Sequence, residues 1–394
     1  MKLFFERAIS APPELVWSSL CEPERMNRWS LATVKLKSAG DGGHPGGPGA
    51  HRRVYLNVGR RTVTLDEVIR DANPGKLLIY EVVDNAMLRS HLGTIALTSR
   101  GGLTNLRWDV AYECSAPGVA ALIARVLRSQ LGQSLDRLKA QLEAEPKAVP
   151  TMPTWKAIPA PTQAQWDIAR QVHRDLQRLA ARLDSNQDPK SIFPHIYSFV
   201  SEGILEACER GDFVYPSWPL HLLPVFYDYY HRNFQRWCGE ESRPVESHWE
   251  RAFSLLDGTG RRGATPSQRL LGGLALSVHA HVESDLPRTF AEVYVDHFAS
   301  LCEYNRFRGD YYSMGRIFID ALERVMEVIP ASFVPTWAKL ARRTLPAELM
   351  QQVAYRKAYD LPKHRRAAFR RGGEIAEMLL IRQQGPKRAQ SMTD

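Results

Sequence analysis

Cysteine is scarce in this chain and carries no pairing pattern. The 394 residues hold five cysteines (Cys21, Cys114, Cys208, Cys238 and Cys302), odd in number, widely spaced and without a CxxC. That excludes a zinc ribbon and a dithiol redox pair, and it argues against a disulfide framework. Long apolar runs are also absent. No stretch reaches the about 18 uninterrupted apolar residues of a membrane-spanning helix. The N-terminal MKLFFERAISAPP meets Glu6 and Arg7 too early for a signal peptide. A cytoplasmic protein without integral membrane association is therefore expected. The glycine-rich stretch GDGGHPGGPG at 40–49 lacks the Gly-Lys-Ser/Thr ending of a phosphate-binding loop and reads as a flexible loop. There is no GxSxG, no HExxH and no pair of ExxH elements, so a serine-hydrolase elbow, a zincin site and a di-iron bundle are not indicated. The net charge is +9, but its one dense basic cluster (Lys363, Arg365, Arg366, Arg370, Arg371, Lys387, Arg388) has no C2H2, RNP or basic-zipper context. It reads as a solvated helix face with a basic tail, and no nucleic-acid partner is expected.

What is present falls into two halves. The first begins with a strand, Leu3 to Ile9, and a helix opened by Pro12-Pro13, since proline is tolerated in the first helical turn. Strands follow over 51–58, 62–70, 77–83, 90–98 and 104–114, separated by Gly59-Arg60, Asn73-Pro74-Gly75 and Arg100-Gly101-Gly102. In the last of them Leu106, Trp108, Val110 and Tyr112 share one face. A helix then runs from about 118 to 145, with leucines at three- and four-residue spacing. The fold class expected is an α+β helix-grip domain, an antiparallel sheet around a long C-terminal helix, followed by an all-α domain. The boundaries expected are 1–145 for the first domain and 146–161 for a linker dense in proline. The helical domain is expected over 162–385, with helices including 337–343 and 349–359, and a disordered tail over 386–394.

In the second half one helix carries a polar signal. Leu271, Leu274, Val278, His281 and Asp285 are spaced 3, 4, 3, 4 and fall on one helical stripe, so His281 and Asp285 extend an apolar face. A buried carboxylate needs a partner, and at i,i+4 the two can hydrogen-bond each other. Three readings stand: a structural pair, a catalytic or ligand-binding site, and a metal site completed by Asp310, Glu283 or His231. No metal and no cofactor is the expectation taken forward.

FERAISAPPELVWSSLCEPERMNRWS, the glycine-rich loop, DEVIRDANPGKLLIYEV and LTNLRWDVAYE with the long helix resemble the START-like, or polyketide cyclase (SRPBCC), superfamily over 1–145. The resemblance implies a cavity for a hydrophobic small molecule such as a polyketide, lipid or aromatic metabolite. Alternation then nominates Tyr55, Tyr80, His91, Trp108, Tyr112, Leu122, Val126 and Leu127 as its lining. If the protein is an enzyme, a polyketide cyclase or dehydratase is implied, with His91 or the His281/Asp285 pair moving protons. The alternative is a non-enzymatic regulatory or assembly module. Residues 190–380 resemble an uncharacterised bacterial all-α family with the signature Asn-Ala-His-Ile-Asn-x-Asp-Leu-Pro. His281, Asp285, Leu286 and Pro287 match it, while His279 and Glu283 stand for its asparagines. Its later elements match loosely, with Gly315 for an Asn and Phe369 for a Trp. Neither half indicates an oligomeric state.

Overall fold

The computed structural model describes all residues except 59–60, 86, 115–118, 145–147, 261–262, 329–360 and 391–394. The chain forms two compact units. One comprises Met1–Ile158 with Ala299–Ser313, the other Pro159–Phe298 with Met314–Asp394.

The first unit is a seven-stranded antiparallel sheet in the order β1-β7-β6-β5-β4-β3-β2. Its strands are β1 (Lys2–Ile9), β2 (Thr33–Ser38), β3 (His51–Val58), β4 (Arg61–Asn73), β5 (Leu77–Val83), β6 (Leu88–Arg100) and β7 (Leu103–Cys114). Thus β1, the first strand in sequence, pairs with β7, the last. Two short helices, α1 (Pro13–Cys21) and α2 (Pro23–Trp29), replace the single helix expected. The break is at Glu22, which is extended (φ −85°, ψ 117°) because the Pro23 ring clashes with an α-conformation in the residue before it. The long helix α3 (Val119–Ala144) buries Leu135, Leu138 and Leu142 in the core shared with Trp17, Trp29, Leu106 and Trp108.

Three sequence expectations are corrected here. Strand β2 was not foreseen: TVKLKS buries only Val34 and exposes both lysines, the pattern of a charged sheet edge. The stretch 40–49 is no flexible loop. Residues 46–50 and Asp41 are buried, and a Cβ on Gly46 would lie 2.6 Å from Cys21 Sγ. The proline-rich stretch has no regular secondary structure over 148–161, but up to residue 158 the expected linker is part of the first unit. Trp155 and Met152 pack on the core, and Trp155 Nε1 donates to Ala72 O at 2.8 Å.

Residues 299–313 complete this unit. They include α10 (Arg308–Ser313), and they enter through buried charges. Arg306 Nη1 donates to Asp41 Oδ2 at 2.8 Å, with both side chains 6% exposed. Arg70 bridges Glu81 and Asp310, at 2.6 and 2.8 Å. Arg308 donates to Gly49 O and to Ser38 Oγ, both at 2.6 Å.

The second unit is helical: α4 (Gln163–Ser185), α5 (Ile192–Arg210), α6 (Ser217–Trp237), α7 (Ser247–Leu256), α8 (Pro266–Ala280), α9 (Leu286–Val293), α11 (Gly315–Val328) and α12 (Leu361–Gln390). Capping boxes start two of them, Thr162 with Gln165 and Thr265 with Gln268. Trp218, Tyr230, Phe234, Trp249, Phe253 and Phe290 fill the core. The expected helices 337–343 and 349–359 lie outside the described residues. Helix α12 reaches Gln390, into the stretch expected to be disordered from 386, while 391–394 lie outside the description.

Between α8 and α9 the helix widens into a π-turn, His281–Asp285. Pro287 explains the widening. It has no N–H to give to the carbonyl four residues back, and that carbonyl, of Glu283, accepts from Arg371 Nη1 instead (3.1 Å).

Candidate functional site

A cavity of about 80 Å³ lies inside the first unit, between the sheet, α2 and α3. Its wall is mainly apolar, with Val54, Leu56, Ile95, Val110, Leu127 and Leu131. The polar groups Arg52, Glu67, Tyr80, His91 and Trp108 converge on it from β3 to β7.

Tyr80 is the hub. Its hydroxyl accepts from Trp108 Nε1 at 3.0 Å, and the two rings meet edge-on. The Arg52 guanidinium lies 5.8 Å from the Tyr80 ring centroid, and the His91 ring 5.6 Å away. Burial pushes the Tyr80 hydroxyl pKa well up, so it keeps its proton. Arg52 Nη2 donates to Glu67 Oε2 at 3.1 Å, Nη1 reaches Leu20 O at 3.3 Å, and the buried Nε has no hydrogen-bond partner. Burial raises the Glu67 carboxyl, with Arg52 opposing it. His91 Nδ1 accepts from Val82 N at 3.3 Å, a geometry that puts the ring proton on Nε2. Burial lowers His91 to about 4, so the ring is neutral at pH 7. With Nδ1 already accepting, the other ring nitrogen of His91 is a donor.

Of the eight lining residues nominated from the sequence, Tyr80, His91, Trp108 and Leu127 face the cavity. Four do not, and each has a local reason. On β3 the inward set is Arg52, Val54 and Leu56, so Tyr55 points the other way, with Lys35 Nζ 5.7 Å from its ring. Tyr112 is buried beyond the cavity and pins the start of α3 by donating to Ala120 O at 2.8 Å. Leu122 is 62% exposed and Val126 half-buried, because α3 turns Ala124, Leu127 and Leu131 towards the sheet instead. Arg52 and Glu67 were missed. Their signal was a charge on the inward, otherwise apolar face of a strand: Arg52-x-Val54-x-Leu56 and Leu65-x-Glu67-x-Ile69.

In the second unit His281 and Asp285 do meet, Nδ1 to Oδ2 at 3.1 Å, both buried. The apolar stripe is rotated from the expected one. Leu270, Gly273, Ser277 and Ala280 are the buried positions of α8, and Leu271, Leu274 and Val278 are half-buried. Small residues face inward because α7 lies close: a Cβ on Gly273 would stand 2.4 Å from Leu256 Cγ. Asp285 collects further donors, Trp249 Nε1 on Oδ2 (2.9 Å) and His248 Nε2 (3.3 Å) and Arg288 Nη2 (2.6 Å) on Oδ1. Burial alone would raise its carboxyl, but the bonds from His248 and His281 and the charge of Arg288 hold it well below the usual carboxylate range. Burial lowers His281, against the pull of Asp285. Its Nε2 is buried without a hydrogen-bond partner, and Phe226 stacks on the ring. The further metal ligands considered from the sequence are engaged elsewhere: Asp310 with Arg70, Glu283 with His279 and His364, and His231 with Tyr227. No helix among the described residues is long and apolar enough to cross a membrane.

Residues 4–143 match the family model described as polyketide cyclase / dehydrase and lipid transport. Solved structures similar to this part include a protein from Mesorhizobium loti (23% identity, 37% of this chain and 100% of that one, TM-score 0.28). They also include a START superfamily protein from Mycobacterium smegmatis (12%, 36% and 97%, TM-score 0.32). A third is the Zhui aromatase/cyclase from a Streptomyces species (14%, 36% and 93%, TM-score 0.31). None of the curated proteins matches. The START-like fold of the first unit, with its sheet closed by a long helix, is of the kind that holds hydrophobic ligands. Residues 169–381, more than half of the chain, match the model of a family of unknown function, and the protein belongs to that family, DUF5995.

Proposed function

We propose that the first unit binds a compact, largely apolar molecule carrying a hydrogen-bond-accepting oxygen, such as an aromatic ketone or phenolic acid. The observation that carries this is the polarity of the cavity wall. The Tyr80 hydroxyl proton, the His91 Nε2–H and the unpartnered Arg52 Nε–H are donors on side chains that line an apolar space. The one carboxylate there, Glu67, is already engaged by Arg52. Apolar pockets with a few convergent polar groups select by those groups, and a donor set left unmatched by an acceptor penalises a plain hydrocarbon.

Size narrows the ligand class. The cavity is about half the ~150 Å³ of an engineered cavity that takes benzene. Even a small aromatic metabolite therefore needs the cavity to widen, with Leu56, Leu65, Leu127 and Leu131, all partly buried, moving outward, and an extended polyketide or a lipid tail would need far more. The same small volume is what favours the second reading, an assembly module whose core takes no ligand.

Native mass spectrometry of the freshly purified full chain, followed by tryptophan-fluorescence titration with matched pairs of aromatic ketone and hydrocarbon, separates the two. The ketone is expected to bind about tenfold tighter, the worth of one buried hydrogen bond. Tyr80→Phe should erase most of that preference. No co-purified ligand and no discrimination in the titration would sink the reading.

A further inference from the structure

We propose that Glu246, His248 and Asp285 form a site for a divalent transition metal ion of the zinc type, in the helical unit, with Arg288 as its built-in competitor. The metal site weighed from the sequence shares only Asp285 with this set; His281, Asp310, Glu283 and His231 are not part of it. Glu246 caps α7 and His248 sits in its first turn, while Asp285 closes the π-turn that Pro287 creates. The widened turn thus brings a carboxylate from one helix to the N-terminus of another.

The geometry is that of a ligand set. His248 Nε2 is 3.3 Å from Asp285 Oδ1 and 3.4 Å from Glu246 Oε2, and one ligand atom from each residue lies within 4.8 Å of the others. Metal–ligand bonds of about 2.0–2.2 Å in a tetrahedron put ligand atoms about 3.3–3.6 Å apart. One imidazole nitrogen with two carboxylate oxygens suits zinc. The two oxygens of Asp285 are divided in function. Oδ2 is fixed by Trp249 Nε1 and His281 Nδ1, the kind of support that orients a ligating carboxylate, which leaves Oδ1 for the site. The Asp285 side chain is fully buried, whereas those of Glu246 and His248 are 30% and 21% exposed. A fourth position therefore opens towards water, as in metal centres that keep a place for a solvent molecule or substrate.

Arg288 already occupies the position of a cation. Its Nη2 lies 2.8 Å from Glu246 Oε2 and 2.6 Å from Asp285 Oδ1. It need not leave far to yield. Its Nε donates to Ser284 O at 3.1 Å and its guanidinium lies 4.2 Å from the Tyr229 ring centroid, contacts that hold it nearby when the carboxylates turn to a metal. The arginine and the ion are alternative counter-charges for the same pair of carboxylates, so an arginine-free site should bind more tightly.

The full chain, stripped with chelator, is titrated with zinc chloride by calorimetry and then with cobalt chloride by visible absorption. One equivalent of zinc and a tetrahedral cobalt spectrum are expected. His248→Ala should weaken zinc by about 100-fold, the upper end of what even supporting residues cost, while circular dichroism stays unchanged. Glu246→Gln provides a second ligand removal at a half-exposed position. Arg288→Gln should tighten binding by about tenfold. The proposal is overturned if the wild-type chain takes up no stoichiometric zinc, whatever Arg288→Gln does. It is equally overturned if His248→Ala and Glu246→Gln both leave binding intact, or if binding is lost instead in His297→Ala, which removes the stacked and partly exposed His221–His297 pair.

Discussion

Replacing Arg306 with alanine tests whether residues 299–313 are structural to the START-like unit. Arg306 Nη1 is bonded to Asp41 Oδ2 and to Lys156 O, at 2.8 and 2.7 Å. Without it, the buried Asp41 carboxylate keeps one donor, the Glu303 N–H at 2.8 Å. Removing one partner of a buried ion pair costs about 3–5 kcal/mol, because the other charge stays behind without compensation. Against a domain stability of about 5–15 kcal/mol, that is roughly a fifth of the total or more. Asp41→Ala should cost a similar amount. The double variant should cost less than the sum of the two, by about 1–3 kcal/mol, since the second change removes the stranded charge. The assay is urea unfolding of the full chain and each variant, followed by tryptophan fluorescence. By the same reasoning a chain ending at residue 158 loses the partners of both Asp41 and Gly49 O, and its sheet domain should melt well below the corresponding transition of the full protein. If single variants cost under about 1 kcal/mol, or the two add without coupling, the clasp is peripheral and the reasoning fails.

Other expectations are simpler to check. Asp285→Ala strands Trp249 Nε1, His281 and Arg288 and should destabilise the helical unit by about 3–5 kcal/mol in thermal or urea melts; a change below about 1 kcal/mol would remove Asp285 from the centre of that network. Gly49→Ala should destabilise the first unit severely: φ is +85° and a Cβ would fall 1.7 Å from Asn305 O, so a variant with wild-type melting would contradict the packing of 299–313. Stability should fall as pH drops from about 6.5. Burial lowers His44, His51, His91 and His281 in the folded state, so the unfolded chain binds more protons in that window. His91 alone, lowered to about 4, accounts for about 3 kcal/mol of this. Below the ordinary aspartate range Asp285, held low when folded, adds to the loss. His91→Gln should flatten the profile between pH 4 and 6.5, and an unchanged profile would show that another group carries it.

The sequence by itself determined the elements whose periodicity is strong. Apolar runs and alternation between Gly and Pro turns located six of the sheet's seven strands, β1 and β3 to β7, and the three- and four-residue leucine spacing located α3. The His281–Asp285 contact was legible because residues four apart on a helix share a face. Strand β2 was hidden because a charged edge strand buries too little to leave an alternating pattern. Only the tertiary structure decided which side chains reach the cavity. A strand's two faces differ by one residue of register, and so Tyr55 turns out while Arg52 and Glu67 turn in. It also decided the fate of charge. Residues 299–313 fall within the helical domain expected over 162–385, yet Arg306, Arg308 and Asp310 are bound inside the sheet domain. Asp285 likewise gained His248 and Trp249 from chain positions its own helix could not announce. Local spacing fixes which residues share a face. Long-range closure of the chain decides what that face meets, because a buried charge is tolerated only where a distant partner arrives to compensate it.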